Sequence, residues 1–157
     1  SLTNDDDKTR ALPLIAGLTA FLIFNWHPSR IFMGDAGSTF LGVLYAGLLL
    51  ETPSWIISLK VLTVATPLFL DAFFCILRRL VAKDNIFKPH RKHLYQRLVG
   101  QYELTHANVS ILYISASISL AFSAFIGGWN IIVLSLFLII VIGYYLDRKI
   151  AKPFKES

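Results

Sequence analysis

The chain has 157 residues, of which 55% are hydrophobic and 16% are charged, and its formal net charge at pH 7 is +5. This composition is too apolar for an ordinary soluble domain, and the apolar residues form long blocks rather than the spaced pattern of an amphipathic helix or strand. The basic residues gather beside those blocks, which is typical of membrane flanks and argues against nucleic-acid binding. The sequence therefore predicts a multi-pass membrane protein in contact with lipid.

Five apolar blocks follow one another along the chain, at residues 11–24, 38–50, 55–77, 109–126 and 129–146. A helix needs about 20 residues to cross the hydrocarbon, so the last three blocks are long enough or nearly so. The first two cross only if flanking residues extend them or the bilayer thins. We predict an all-α transmembrane bundle with about five spans, in a single membrane domain over residues 1–157.

Charge in the connecting segments predicts the orientation. Lys and Arg crowd residues 78–108 and the C-terminal tail, whereas the turns at 51–54 and 127–130 carry none. The positive-inside rule places the basic loop 78–108 and the tail in the cytoplasm, and alternation then places residues 25–37 there as well. Asp5–Asp7 falls on the opposite side, where we expect a flexible acidic turn rather than a metal site.

The first cytoplasmic segment contains Gly34, Asp35 and Gly37 directly before an apolar block. Glycines allow tight backbone geometry and close approach of a ligand. Asp35 has two interpretations on spacing alone. It is an N-cap of the following helix, or it is a ligand for Mg²⁺, which binds one or two carboxylates together with substrate phosphates.

The second cytoplasmic segment contains His90, Arg91, Lys92 and His93. If this stretch is helical, the two histidines project from one face. Two imidazoles beside an Arg fork favour contact with a diphosphate. A zinc site is another possibility but lacks a third ligand, and a solvated basic loop attracted to anionic lipid is the simplest alternative.

Two further residues lie inside the third apolar block. Asp71 is an ionisable group in a membrane segment, so it marks either a functional site or a hydrogen bond between helices. Cys75 is the only cysteine in the chain, which excludes a disulfide framework. We interpret it as a small packing residue.

Two long motifs carry a family resemblance. Residues 24–42 read F-N-x-x-P, then F-M-G-D-x-G-S-x-x-L-G, and residues 90–98 read H-R-x-H-x-Y-Q-R-L. Both resemble motifs of the polyprenyl-phosphate N-acetylhexosamine-1-phosphate transferase superfamily, glycosyltransferase family 4. The second is similar to the branch that starts O-antigen and related polymers. The resemblance covers nearly the whole chain from Leu12 onward.

The resemblance implies transfer of N-acetylhexosamine 1-phosphate from a UDP-sugar to undecaprenyl phosphate, with release of UMP, at the cytoplasmic face of the bacterial inner membrane. The implied cofactor is Mg²⁺, with Mn²⁺ as the alternative. The implied catalytic residues are Asp35, which also binds the metal, His90 and His93. The implied substrate-binding residues are Asn25, Phe32, which would stack on uracil, Gly34, Ser38 and Arg91.

The chain also departs from the family pattern. Members are about twice as long, and their first half carries a paired-aspartate motif that Asp5–Asp7 does not match. We therefore expect a C-terminal half that needs a separate N-terminal half, or a second copy, and that does not turn over alone. The alternatives are an inactive fragment or non-catalytic subunit, and a small transporter with Asp71 on its ion path. The transporter predicts a helix broken at midplane, for which only Pro67 is suggestive.

Overall fold

The computed structural model describes the backbone of residues 2–154 and the side chains of residues 12–154. Its helices are α1 (Leu2–Asn25), α2 (Gly34–Glu51), α3 (Trp55–Val64), α4 (Thr66–Val81), α5 (Leu94–Leu98), α6 (His106–Ile126) and α7 (Trp129–Lys149). The chain forms two compact units, one ending at Ala46 and the other beginning at Gly47. The all-α prediction is confirmed.

The first unit consists of α1, a connecting segment and most of α2. Helix α1 accommodates Pro13 in its interior. The backbone of residues 5–7 is helical rather than the acidic turn expected from the sequence. The side chains of Asp5–Asp7 lie outside the described residues, so the interpretation of this cluster stays a prediction.

The second unit is built around α6, which packs against α3, α4 and α7. Thr105 caps the start of α6, because its hydroxyl accepts a hydrogen bond from the amide of Asn108 at 3.2 Å. The completely buried side chains are Leu98, Leu120 and Ile132 among the described residues. Only 17% of the α6 span and 6% of the α7 span are buried inside the protein, so most of their apolar surface faces outward. Outward apolar surface is what a lipid environment requires.

The third apolar block is two helices, not one. Helices α3 and α4 meet at Ala65 with a bend of 71°. Pro67 stands in the first turn of α4, where it has no amide to donate and its ring would clash with the carbonyl one turn earlier in a continuous helix. The apolar block at residues 55–77 is therefore divided between two helices.

Two of the described helices, α6 and α7, are each long and apolar enough to cross a membrane, and α3 with α4 makes a third if the bent pair is one span. The apolar part of α1 covers only Leu12–Asn25. Helix α2 has 18 residues and carries an acidic residue near each end, Asp35 and Glu51. The membrane helical bundle is confirmed, with two or three spans by length and composition where about five were expected.

A hydrogen bond between hydroxyl groups connects α6 to α7. Ser123 Oγ and Ser135 Oγ lie 2.8 Å apart. We expect a double-mutant cycle with Ser123→Ala and Ser135→Ala to give a coupling of about 0.6 kcal/mol, the average for such bonds in membranes. Unfolding of the purified chain in detergent measures it. Ser115→Ala is the control, because that hydroxyl bonds only the carbonyl of Leu112 in its own helix. A zero coupling would contradict the expectation.

Candidate active site

The glycine-rich junction of the first unit lies between α1 and α2. Gly34 begins α2 with φ of 65°, a conformation that favours glycine. A Cβ at Gly37 would lie 2.4 Å from Cγ of Met33, so Met33 packs where a larger residue would collide. The two glycines of the motif are therefore explained by local backbone and packing requirements.

Asn25 stabilises the segment that precedes this junction through hydrogen bonds. Its side-chain amide donates to the carbonyl of Ile31 at 2.8 Å, and its backbone carbonyl accepts from Ser29 Oγ at 2.6 Å. The amide of Arg30 bonds the carbonyl of Phe24 at 2.9 Å and closes the same turn. The side-chain nitrogen of Asn25 therefore shapes the loop, and its contact with a nucleotide stays a prediction.

Two side chains of this junction are open to solvent. Phe32 is 78% exposed, and Asp35 is exposed in the first turn of α2. Because α2 begins at Gly34, Asp35 lies inside the helix rather than at the N-cap position that one interpretation assigned to it. Ser38 Oγ donates a hydrogen bond to the backbone carbonyl of Asp35 at 3.1 Å. This bond does not involve the carboxylate of Asp35.

The oxygen chemistry at Asp35 fits Mg²⁺. This hard cation takes oxygen ligands and usually retains positions for water and phosphate oxygens. An exposed carboxylate at a helix start offers one such ligand together with access for a substrate. The metal role of Asp35 stays a prediction with this support.

The histidines of the second unit lie in a non-helical stretch before α5. His93 occupies the N-cap position of α5 in extended backbone, and His90 lies outside any helix. The helical arrangement considered from the sequence is therefore wrong, yet the two rings still come together, with centroids 5.1 Å apart. Burial lowers the pKa of His90, and the nearby charges of Arg79, His93 and Lys92 add to this effect. The neutral imidazole is favoured as a result.

Hydrogen bonds to Asp71 connect this stretch to α4. Its carboxylate accepts from the amides of Leu94 and Tyr95 at 2.7 and 3.3 Å and from the hydroxyl of Tyr113 at 2.9 Å. His93 Nδ1 lies 3.7 Å from the same group. The side chain of Asp71 is only 6% exposed. Of the two interpretations of Asp71, the structure shows the hydrogen bond between helices.

We expect Asp71→Asn to loosen α5. An amide offers one acceptor oxygen where the carboxylate offers two, so at least one of the three donors loses its partner. An unsatisfied buried donor costs about 1–3 kcal/mol. Hydrogen exchange should accelerate at the amides of Leu94 and Tyr95. Asp84→Asn, in the same loop, serves as the control. Unchanged protection at both amides would contradict this role of Asp71.

A second buried carboxylate, that of Asp147 near the end of α7, forms ion pairs with two arginines. It accepts from Arg78 at 2.7 Å and from Arg97, and their side chains connect α4, α5 and α7. Arg97 also donates to the carbonyl of Lys152 at 2.7 Å, which attaches the C-terminal segment. Sequence reasoning missed this network because its members lie far apart in the chain. The signal was Asp147 itself, an acid directly after the fifth apolar block.

Several other cations of the basic loop are also engaged. The guanidinium of Arg79 is buried and donates to backbone carbonyls at Asn85, Ile86 and Lys88. Lys92 Nζ lies 2.7 Å from the carboxylate of Asp84, and this hydrogen bond lowers the pKa of Asp84. Arg91 is exposed. The loop is therefore an ordered structure that leaves Arg91 accessible, rather than a uniformly solvated basic segment.

A cavity of about 450 Å³ lies among α4, α6 and α7 in the second unit. Most of its walls are apolar, and charged groups lie among the lining residues, including Asp71, Arg78, Lys92, Arg97 and Asp147. Phe154 also lines it, with the guanidinium of Arg78 5.7 Å from its ring centroid. This combination suits a ligand that has both an apolar part and a polar group.

The sequence matches known proteins over most of its length. Residues 3–52 match the family described as Glycosyl transferase family 4. The probable undecaprenyl-phosphate N-acetylglucosaminyl 1-phosphate transferase of Bacillus subtilis (strain 168) is 34% identical over 84% of this chain and 38% of its own length.

Two other relatives extend the comparison. The undecaprenyl-phosphate alpha-N-acetylglucosaminyl 1-phosphate transferase of Salmonella typhi is 31% identical over 91% of this chain and 43% of its own length. The phospho-N-acetylmuramoyl-pentapeptide-transferase of Carboxydothermus hydrogenoformans is 32% identical over 59% of this chain and 29% of its own length. No solved structure matches.

The chain spans about two-fifths of the length of the Bacillus and Salmonella relatives. The motif that contains Asp35 lies within the part that matches the family. These matches relate the chain to glycosyl transferase family 4 over residues 3–52 and, over most of its length, to undecaprenyl-phosphate N-acetylglucosaminyl 1-phosphate transferases.

Proposed function

We propose that this chain is part of a membrane enzyme that transfers an N-acetylhexosamine 1-phosphate from a UDP-sugar to undecaprenyl phosphate and releases UMP. The names of the Bacillus and Salmonella relatives, which specify undecaprenyl phosphate and a 1-phosphate transfer, support the proposal. We assign the enzyme to the bacterial inner membrane, with its active face in the cytoplasm, where it starts O-antigen or another envelope polysaccharide.

The observation that carries the proposal is the junction at residues 32–38. An exposed aromatic ring, Phe32, and an exposed carboxylate, Asp35, lie on either side of a glycine that begins a helix. The ring provides a stacking surface for uracil, and the carboxylate provides an oxygen ligand for Mg²⁺. Asn25, Gly34 and Ser38 shape the same junction and complete the proposed nucleotide-binding set.

The reaction exchanges one phosphoanhydride bond for another. An oxygen of undecaprenyl phosphate attacks the β-phosphorus of the UDP-sugar, a new bond forms between them, and the bond to the α-phosphate breaks. The products are the lipid diphosphate sugar and UMP. Such transfers depend mainly on positioning and charge neutralisation. When bound, Mg²⁺ would supply part of that neutralisation.

The residues proposed to contact the diphosphate lie in the second unit. His90, His93 and the exposed Arg91 would donate hydrogen bonds to diphosphate oxygens, because imidazole rings and a guanidinium both have N–H groups to offer. The ring separation of 5.1 Å between the histidines lets both reach one diphosphate. The largely apolar cavity among α4, α6 and α7 offers space for part of the lipid substrate.

One observation favours the transporter alternative. The bend of 71° between α3 and α4 is the broken helix that a transporter would require. The contacts of Asp71 oppose it, since its carboxylate is bonded to two backbone amides and to Tyr113. An ion on the transport path would have to displace these donors.

The test uses membranes that contain this chain, with and without a co-expressed N-terminal half from a relative. UMP release is followed with undecaprenyl phosphate, Mg²⁺ and each of several UDP-N-acetylhexosamines. We expect release that requires both halves and the lipid phosphate. Absence of release in the pair, with both halves folded and every sugar tried, would favour the inactive-fragment alternative.

A further inference from the structure

A cysteine and two histidines converge in the second unit. Cys75 lies on α4 and is 4% exposed, and His90 and His93 approach it from the loop before α5. One potential ligand atom from each residue lies within 4.8 Å of the other two. The sequence indicated only the two histidines as a pair, because Cys75 belongs to the third apolar block and the histidines belong to the basic loop.

We propose that Cys75, His90 and His93 bind Zn²⁺, with a fourth coordination position open to solvent or a ligand. Three protein ligands with one open position are the usual coordination of zinc where it does chemistry or binds an exchangeable group. In a tetrahedral site with Zn–S of about 2.3 Å and Zn–N of about 2.0–2.1 Å, ligand atoms lie about 3.5 Å apart. Because the potential ligand atoms lie within 4.8 Å of one another, the site needs a closure of at most about 1.3 Å to reach this geometry, which the non-helical histidine segment can supply.

The donor set selects the kind of metal. A thiolate and two imidazoles suit Zn²⁺ and other borderline or soft cations, whereas Mg²⁺ takes oxygen ligands. This site is therefore chemically distinct from the proposed Mg²⁺ ligand Asp35.

The surroundings hold the ligands in place. The carboxylate of Asp71 lies 3.7 Å from Nδ1 of His93, and carboxylates beside metal-binding histidines commonly orient the ring. The same carboxylate bonds the amides of Leu94 and Tyr95, which directly follow His93. Two neighbouring cations have partners of their own, since Arg79 donates to loop carbonyls and Lys92 pairs with Asp84.

Metal binding at this site does not depend on the proposed function. The proposed function assigns His90 and His93 to the donor diphosphate. A bound zinc ion would either coordinate these imidazoles in place of the diphosphate or bind a phosphate oxygen at its open coordination position. Binding is measured on the full chain without any nucleotide or lipid substrate.

The experiment adds Co²⁺ to the purified chain in detergent and records its absorption spectrum. Because Cys75 is the single cysteine, a thiolate-to-cobalt charge-transfer band reports this residue alone. We expect that band together with the strong visible bands of tetrahedral cobalt, and we expect Zn²⁺ but not Mg²⁺ to remove both. A spectrum without the thiolate band in the wild-type chain would overturn the proposal.

Variants test the ligand set. The double variant His90→Gln, His93→Gln keeps the thiol and the helices, and we expect it to weaken cobalt binding by more than about 100-fold, beyond the loss seen when only a supporting residue is removed. His106→Gln, a histidine outside the cluster, should bind as the wild type does. Cys75→Ser should lose the thiolate band. Circular dichroism of the same variant checks that its helices are retained. Equal affinity in the double variant would also overturn the proposal, since the thiol would then bind without the imidazoles.

Discussion

Asp35→Asn should reduce UMP release by about 100-fold or more in membranes that hold this chain with its complementary half. Asparagine keeps the size of the side chain but removes the negative charge that makes a carboxylate a good ligand for Mg²⁺. Loss of a residue that only supports a metal ligand already costs 10–100-fold, so loss of the ligand itself should cost at least as much. The substitution lies at an exposed position, so we expect the fold to remain intact.

Glu51→Gln is the matched control for this prediction. It removes one acidic charge from the other end of the same helix, α2, and we expect wild-type rates. The dependence on Mg²⁺ concentration provides a second readout, because a weakened metal site should need more Mg²⁺ to reach the same rate. Wild-type turnover by Asp35→Asn at all Mg²⁺ concentrations would remove Asp35 from the metal site.

Asp147→Asn should destabilise the second unit by about 3–5 kcal/mol, the usual cost of breaking a buried ion pair from one side. The side chains of Asp147 and Arg97 are 9% and 3% exposed, so the Arg97 guanidinium would be left buried without its carboxylate. Arg78 would lose the same partner. Thermal unfolding of the purified chain in detergent measures the loss.

Asp84→Asn is the control for the buried pair. It removes the carboxylate that Lys92 contacts in the exposed loop, where pairs of this kind contribute little. We expect its unfolding temperature to match the wild type. Equal unfolding temperatures for Asp147→Asn and the wild-type chain would show that the network around Asp147 does not hold α4, α5 and α7 together.

The helical membrane character was predictable because it depends on composition and block length, which the sequence contains directly. Blocks four and five became α6 and α7 with nearly the expected bounds. The break at Ala65 was harder to predict, since one proline in an apolar run either kinks a helix or divides it, and neighbouring helices decide which. The exposed junction around Asp35 was predicted from its motif, where glycine spacing and a following helix are local features.

The contacts of the second unit were not predictable to the same degree. Asp71 meets residues of α5 and α6, and Cys75 meets the loop histidines, through pairings between distant parts of the chain. Single-sequence patterns report local periodicity and charge, and they do not specify which side chains of different helices will face each other. An acid inside an apolar block, such as Asp71, or directly beside one, such as Asp147, signals that a partner exists without identifying that partner.

The central claim is that the β-phosphate of the donor moves with the sugar onto the lipid. The direct measurement supplies a UDP-N-acetylhexosamine with ³²P in its β-phosphate to the reconstituted pair of halves, with undecaprenyl phosphate and Mg²⁺, and separates lipid from water-soluble products. We expect the label in the lipid fraction, in an amount equal to the unlabelled UMP released. Label recovered as UDP, with sugar transferred and no phosphate carried along, would contradict it.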